Sequence, residues 1–252
     1  MMIGFNGGLI GAARDTSAAA SVPGVWTPRE QLKARRANTW PLINADPYFA
    51  NVSLLLRGDG TNGSTTFTDG SINNFSITAN GAAQISTTQS KYGGASMYFN
   101  GSTSSYLSLP SNSAFTLDAD FTIEWWSWKS SNGFYDGVIG SGSGSINFIE
   151  LSNTRSVFMV VTSSGISEVV QYTYNPNDST WHHYAATKSG STLRLFIDGV
   201  QVASGQNTAP LNLSGGKIGG YVSYYYNGYI DDFRITKGVA RYTANFTPPG
   251  AL

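Results

Sequence analysis

The chain contains no cysteine, so disulfide staples, thiolate nucleophiles and cysteine-based zinc sites are all excluded, and stability must come from packing or from an oxygen-ligated ion. Its only histidines, His182 and His183, are neighbours in a strand-like segment and so face opposite ways. No Gly-x-Ser-x-Gly elbow surrounds any serine, and no Gly-Lys-Ser/Thr sequence occurs, which removes the usual nucleophile and phosphate-cradling arrangements. Only 12% of residues are charged, and 15 basic residues balance 15 acidic ones, so no global field attracts nucleic acid or an anionic membrane. No apolar run is long enough to span a bilayer, and the stretch from Met1 to Gly11 lacks a basic leader and an uninterrupted apolar core. Neither a signal peptide nor an anchor is expected. The route to the outside of a cell would be lysis or assembly into a particle.

What the chain does hold is 29 glycines and 13% aromatic residues, the composition of many short strands joined by tight turns. Three segments are clearest: Trp181-His182-His183-Tyr184-Ala185, Leu193-Arg194-Leu195-Phe196-Ile197-Asp198-Gly199, and Gly228-Tyr229-Ile230-Asp231-Asp232-Phe233-Arg234-Ile235. Each runs apolar or alternates over strand length and ends at Gly, Asn or Asp. Alternation assigns the faces. Phe121, Ile123 and Trp125 point inward, as do Leu193, Leu195 and Ile197, with Arg194 and Phe196 opposite. Leu54, Leu56, Phe99, Leu107, Leu109, Val157, Met159, Tyr184, Phe233 and Ile235 complete the expected core.

With Tyr92-Gly93-Gly94-Ala95-Ser96-Met97-Tyr98-Phe99-Asn100-Gly101, Tyr106-Leu107-Ser108-Leu109 and Phe121-Thr122-Ile123-Glu124-Trp125-Trp126 upstream, these segments resemble the laminin-G-like, concanavalin A-like jelly-roll family in wording and order. The resemblance runs from about residue 52 to 247. It implies an all-β, two-sheet antiparallel jelly-roll sandwich over 51–252, preceded by an extended arm and short helix over 1–50. Relatives of this sandwich include glycoside hydrolases with paired carboxylates. Of the four glutamates here, Glu30, Glu124, Glu150 and Glu168, none has a second carboxylate two residues away, so the expectation is a binding protein and not an enzyme. The resemblance also implies a rim calcium ion, for which Asp59, Asp69, Asn74 (with Asn73) and Asp231 or Asp232 are the candidate oxygen ligands. Turn-making by the same Asp and Asn side chains is the alternative, and Asp198-Gly199 reads as a hairpin turn. Arg57-Gly58-Asp59 is taken as a chance adhesion tripeptide at a strand end.

The first 25 residues are rich in Gly, Ala and Ser without sustained periodicity. Thr27-Pro28-Arg29-Glu30 carries a capping hydroxyl, Pro at the first helical position and Glu three residues after the cap, which predicts a short helix from Pro28 that stops before Trp40-Pro41. Arg29, Lys33 and Arg36, flanked by Trp26 and Trp40, are either a solvated cationic face or a docking surface. The segment resembles the N-terminal attachment regions of bacteriophage virion proteins, which implies a virion location, other virion proteins as partners and a homo-oligomer; the balanced charge and short apolar runs speak against nucleic-acid and membrane partners.

Two segments are unusually aromatic: Asn132 to Gly137, with Phe134 and Tyr135, and Tyr221 to Tyr229, with Tyr224, Tyr225, Tyr226 and Asn227. Tyrosine offers a rigid stacking face and Asn a directional amide, so these are the candidate ligand contacts. They serve either a lectin-like adhesion domain of a tail fibre or surface decoration touching host glycan or protein, or a structural capsid or tail component whose loops pack in subunit interfaces.

Overall fold

The computed structural model describes residues 46–130, 136–141, 147–151, 155–162, 165–175, 177–206, 210–221 and 224–252, with 9–10, 14–15, 21–22 and 25–26; for these last four pairs and for 147–151, 155–162 and 165–169 it describes the strands without their side chains. The chain divides into two compact units, Met1–Phe49 and Ala50–Leu252. In the first unit β1 (Leu9–Ile10) pairs with β4 (Val25–Trp26), and β2 (Arg14–Asp15) pairs with β3 (Ser21–Val22), both antiparallel. Trp26 lies opposite Leu9. The helix expected from Pro28, with Arg29, Lys33, Arg36 and Trp40, lies outside the described residues, as do Phe134 and Tyr135.

The second unit is a sandwich of two antiparallel sheets. Across the first sheet the order is β19 (Val200–Gln206), β18 (Thr192–Ile197), β17 (Trp181–Ser189), β12 (Phe121–Trp128), β24 (Asn227–Lys237), β9 (Ser96–Asn100) and β8 (Gln84–Ser86), with β5 (Val52–Leu56) also paired to β24. The second runs β16 (Gly165–Thr173), β15 (Arg155–Thr162), β14 (Asn147–Leu151), β13 (Asp136–Gly140), β21 (Lys217–Ile218), β10 (Tyr106–Ser108), β7 (Ser76–Asn80) and β6 (Thr66–Thr68). Two short antiparallel pairs stand apart from these sheets, β11 (Thr116–Leu117) with β20 (Leu211–Asn212) and β22 (Gly220–Tyr221) with β23 (Tyr224–Tyr225). Asp198 and Gly199, both at positive φ (50° and 78°), make the two-residue turn between β18 and β19, which is the geometry that right-twisted strands accept.

The expected inward residues meet in one core: Phe121, Ile123, Trp125, Leu193, Leu195, Ile197, Leu54, Leu56, Phe99, Leu107, Leu109, Tyr184, Phe233 and Ile235 all belong to it. Val157 and Met159 lie among the residues described by backbone alone. Stacked rings anchor the centre, with Trp125 5.4 Å from Tyr184 and 6.2 Å from Phe233 between ring centroids.

Phe196, on the opposite face, is nevertheless fully buried. The cover is the C-terminal tail, residues 239–252, which crosses the outer face of the first sheet. Tyr242 stacks on Phe246 at 3.5 Å, Phe246 packs on Phe196 at 5.3 Å, the Phe246 N–H donates to the Gly199 carbonyl, and the Leu252 N–H donates to Asp232 at 2.9 Å. Both faces of this sheet's middle are therefore dry.

Candidate functional site

The tyrosine-rich segment after Gly219 is not a loop projecting from the rim. Its β22–β23 hairpin folds back onto the outer face of the second sheet, where glycines make room for it. A Cβ on Gly140 would stand 2.4 Å from Tyr221 Cδ2, and one on Gly220 would stand 2.8 Å from Tyr225 Cδ1, so only a side-chain-free floor lets these rings lie flat. Alternation along β10 sends Leu107 inward and Tyr106 outward beside Tyr225, the two ring centroids 6.4 Å apart. The Lys217 ammonium lies 4.2 Å from the Tyr106 centroid and 5.9 Å from that of Tyr225. Tyr221 and Tyr224 form a second pair at 6.4 Å, and burial pushes the Tyr221 phenol up. Asn80 donates its amide to Ser108 Oγ at 2.9 Å along the same face. The arrangement combines apolar ring faces for stacking with an ammonium, an amide and hydroxyls for polar recognition.

Tyr224 and Tyr225 are half-buried on this platform, but Tyr226 is a correction to the expected contact surface. It is wholly buried, its hydroxyl 2.5 Å from Ser127 Oγ and 3.3 Å from the Tyr229 carbonyl, its ring 6.0 Å from Phe99. Burial pushes its phenol far above the ordinary range. The parity of β24 explains this: Tyr226, Gly228 and Ile230 share the inward side. Asn227 is held by its backbone, its N–H donating to Asp136 Oδ1 at 3.1 Å and its carbonyl accepting from Lys129 Nζ at 3.2 Å. Lys129 and Asp136 form a salt bridge that is fully buried, and burial lowers the Lys129 ammonium despite the Asp136 charge.

Two of the candidate calcium ligands, Asp69 and Asp231, are engaged by the protein's own donors, while Asp59 lies close enough to Asp232 for their charges to repel. Asp69 Oδ1 accepts from Leu55 N and Ser71 N, and its Oδ2 from Ser71 Oγ and Phe75 N, at 2.8–3.0 Å; donors already occupy the positions an ion would take. Asn74 is exposed at φ 48° in the same turn, and Asp59 is exposed after β5. Asp231 accepts from Lys91 N, Tyr92 N and Asp232 N at 2.8–3.1 Å. Among the described residues no three carboxylate or imidazole side chains are arranged to hold a metal. Arg57, of the adhesion-like tripeptide, donates to the Leu252 carbonyl.

The titratable groups are likewise committed. Glu124 is fully buried; Arg234 donates to its Oε1 at 2.7 and 2.9 Å and Tyr242 to its Oε2 at 2.8 Å, with His183 Nε2 at 3.3 Å. Burial alone would raise this carboxyl, but His183, the Arg234 guanidinium and the Tyr242 hydroxyl outweigh it and hold it down to about 2. Burial raises Asp231 to about 7 and Asp232 to about 6, against the N–H donors that each accepts. His182 lies between Asp198 Oδ2 at 2.6 Å and Asp178 Oδ2 at 2.7 Å, and the Asp198 hydrogen bond leads in raising it to about 9. The two aspartates thus favour its imidazolium form at neutral pH, with Nδ1 donating to Asp198 and Nε2 to Asp178. The Asp198 turn thus has a second task that its sequence did not announce.

A family model described as Laminin_G_3, concanavalin A-like lectin/glucanases superfamily, matches residues 100–241. No curated protein matches the sequence. Among solved structures, the fold is similar to the binding domain of Paraclostridial Mosquitocidal Protein 1, with TM-score 0.59 and 17% identity over 75% of this chain and 49% of that one. It is also similar to Domain 4 of AbnA, a GH43 extracellular arabinanase from Geobacillus stearothermophilus, in complex with arabinotriose, with TM-score 0.57 and 17% identity over 75% of this chain and 94% of that one. A third is the binding domain of Botulinum Neurotoxin serotype G, with TM-score 0.58 and 13% identity over 78% and 49%. The chain spans about half the length of the two toxin domains that it resembles.

Proposed function

Because the chain belongs to the concanavalin A-like lectin/glucanase superfamily, we propose that it is a non-enzymatic adhesion module, displayed on a bacteriophage particle as a tail-fibre or surface-decoration component, that touches host-surface glycan. The observation that carries the glycan reading is the Tyr106–Lys217–Tyr225 platform: stackable rings beside an ammonium and an amide suit the apolar faces and hydroxyls of a sugar. The arabinotriose complex of the similar AbnA domain supports the same ligand class. Placement on a virion rests on the glycine-rich start and the Trp-flanked basic segment with Arg29, Lys33 and Arg36. Weak contacts repeated over several copies of the chain would then act through avidity. The binding role, as opposed to catalysis, is supported by the similarity to toxin binding domains and by carboxylates at Glu124 and Asp231 that are filled by the protein's own donors.

The test is a glycan array probed with the full chain in multivalent display. Specific hits that disappear in Tyr225→Ala and Tyr106→Ala, with the near-UV circular dichroism unchanged, are expected; an array without such hits overturns the carbohydrate reading. Imaging of the source particle with labelled protein tests the display. A platform covered by a neighbouring subunit would assign the chain a structural role instead.

A further inference from the structure

A second aromatic surface lies on the outer face of the first sheet, and the sequence pattern gave no notice of it. Cross-strand register places Trp181 of β17 opposite Trp128 of β12, Trp128 opposite Tyr229 of β24, and Tyr229 opposite Tyr98 of β9. Four aromatic side chains on four adjacent strands thus form one row. All four are only half-buried. The rest of this face is built differently: beneath the C-terminal tail, Glu124, His183 and Phe196 are shut away from water. The tail's contacts fall at Phe196, His183, Glu124 and Asp232, further along the strands than the row.

Two tryptophans and two tyrosines left partly open at register-matched positions of four adjacent strands are unusual on a surface whose neighbouring portion is carefully covered. The spacing names an occupant. Ring centroids are 5.0 Å apart from Tyr98 to Tyr229 and 5.4 Å from Tyr229 to Trp128. Those steps follow the strand separation of about 4.8 Å and are close to the length that one pyranose unit adds to an extended polysaccharide. The rings are not coplanar: successive planes turn by 39° and 78°. The flat face of a packed, crystalline polysaccharide needs a coplanar shelf, which a tilted pair and an edge-to-face pair do not make, so a single chain that can adapt to ring faces and edges in turn fits this row better. Polar side chains flank the row where sugar hydroxyls would lie. Gln84 of β8 continues it beyond Tyr98, and the Asn100–Asn227 pair sits two residues along the same strands, hence on the same face, with Asn100 exposed.

We propose that the Trp181–Trp128–Tyr229–Tyr98 row is a second glycan-binding surface, one that takes a single extended polysaccharide chain laid across the strands. It belongs to the opposite sheet from the tyrosine platform and does not depend on it. A chain with both surfaces would bridge two glycan strands.

The experiment is native affinity electrophoresis of the full chain through gels containing hydroxyethylcellulose, xylan, pullulan or dextran, four soluble polymers of different backbone twist. Retardation by at least one of them is expected. Trp128→Ala and Tyr98→Ala should each weaken it about tenfold or more, Trp128→Phe should retain much of it, and Tyr225→Ala on the other sheet should leave it unchanged. The retarding polymer, cut into oligosaccharides, should quench tryptophan fluorescence with an affinity that climbs with length and levels off near four sugar units, one for each ring. Thermal melts and near-UV circular dichroism confirm that each variant is folded, and Tyr98→Ala, a half-buried position, carries the test should Trp128→Ala fail to fold. Free migration in all four gels overturns the proposal, and so does retardation that survives Trp128→Ala and Tyr98→Ala. If retardation instead vanishes with Tyr225→Ala alone, the row is excluded while the tyrosine platform stands.

Discussion

Tyr242 donates its hydroxyl to Glu124 Oε2 across 2.8 Å, and this bond fastens the C-terminal tail to a carboxylate at the middle of the first sheet. The same carboxylate accepts two N–H bonds from Arg234, so tail, β12 and β24 share one buried charge. Loss of the Tyr242 hydroxyl in Tyr242→Phe should lower unfolding free energy by about 1.5–3 kcal/mol, the worth of a hydrogen bond to a charged group. Glu124→Gln leaves the Arg234 guanidinium without its counter-charge and should cost about 3–5 kcal/mol. Urea unfolding at pH 7 gives both numbers. Because the Glu124 carboxyl is held at about 2, below its ordinary value, its contribution is full above pH 4.5 and fades as the pH falls through 2. The gap between wild type and Glu124→Gln should close over that window; a gap independent of pH would show that the carboxylate is not the source.

Asp232 works in the other direction. Burial raises it to about 6, so the folded chain holds this proton more tightly than the unfolded chain does, and its effect on stability becomes steadily more unfavourable as pH rises from about 4 to 6. Asp232→Asn keeps an acceptor for the Leu252 N–H and tolerates the φ of 46° at this position. Its stability relative to wild type should be near parity at pH 4 and higher by roughly 1–3 kcal/mol at pH 7, since one pKa unit is worth about 1.4 kcal/mol. Thermal melts from pH 4 to 8 read this directly, and a constant difference across the range would refute the assignment.

The buried Lys129–Asp136 pair carries the backbone of Asn227 at the end of the tyrosine hairpin. Lys129→Met strands the Asp136 carboxylate in a dry site and should destabilise by about 3–5 kcal/mol. Lys129→Met with Asp136→Leu removes both charges and takes from Asn227 the acceptor of its N–H and one donor to its carbonyl, about 1–3 kcal/mol for each bond lost. The double variant should therefore be the more stable of the two, an ordering that chemical denaturation can check.

Gly220 sets the floor under Tyr225. Alanine there would bring a methyl to 2.8 Å of Cδ1 and 3.1 Å of Cε1 of that ring, which must move away from Tyr106 and Lys217. Gly220→Ala should lower glycan-array signal about as far as Tyr225→Ala does, while the melting temperature changes by only a few degrees, because the displaced ring lies on the outer face and not in the core. Full binding by a folded Gly220→Ala protein would remove the platform from the recognition mechanism.

Much of the sandwich could be read residue by residue because alternation is a local property. Phe121, Ile123 and Trp125 declare their face by spacing alone, as do Leu193, Leu195 and Ile197. The same rule carried four residues further would have put Lys129 inside with them, and only the convention that lysines are exposed hid a buried ion pair. Tyr226 was misjudged for the complementary reason: a run of tyrosines looks uniform, yet the strand beginning at Asn227 sends its parity back into the core. The calcium candidates illustrate a different limit. A turn-making Asp and a metal-binding Asp are the same residue in the same kind of segment, and only the fold shows that backbone N–H groups reach the Asp69 and Asp231 carboxylates.

The amino-acid sequence by itself determined the class of fold, the absence of sulfur chemistry and the inward set of most strands, since these follow from composition and a period of two. Only the tertiary structure decided what happens to the outward set. The bulge where Glu124 faces Arg234 and Trp126 faces Asp231 shifts β24 by one residue, so Ile230, Phe233 and Ile235 all point inward although strict alternation forbids it. The tail then buries Phe196 and Glu124, and cross-strand register alone gathers Trp181, Trp128, Tyr229 and Tyr98 into a row. These outcomes depend on which segments become neighbours, and a spacing rule that looks along one strand holds no information about the strand beside it.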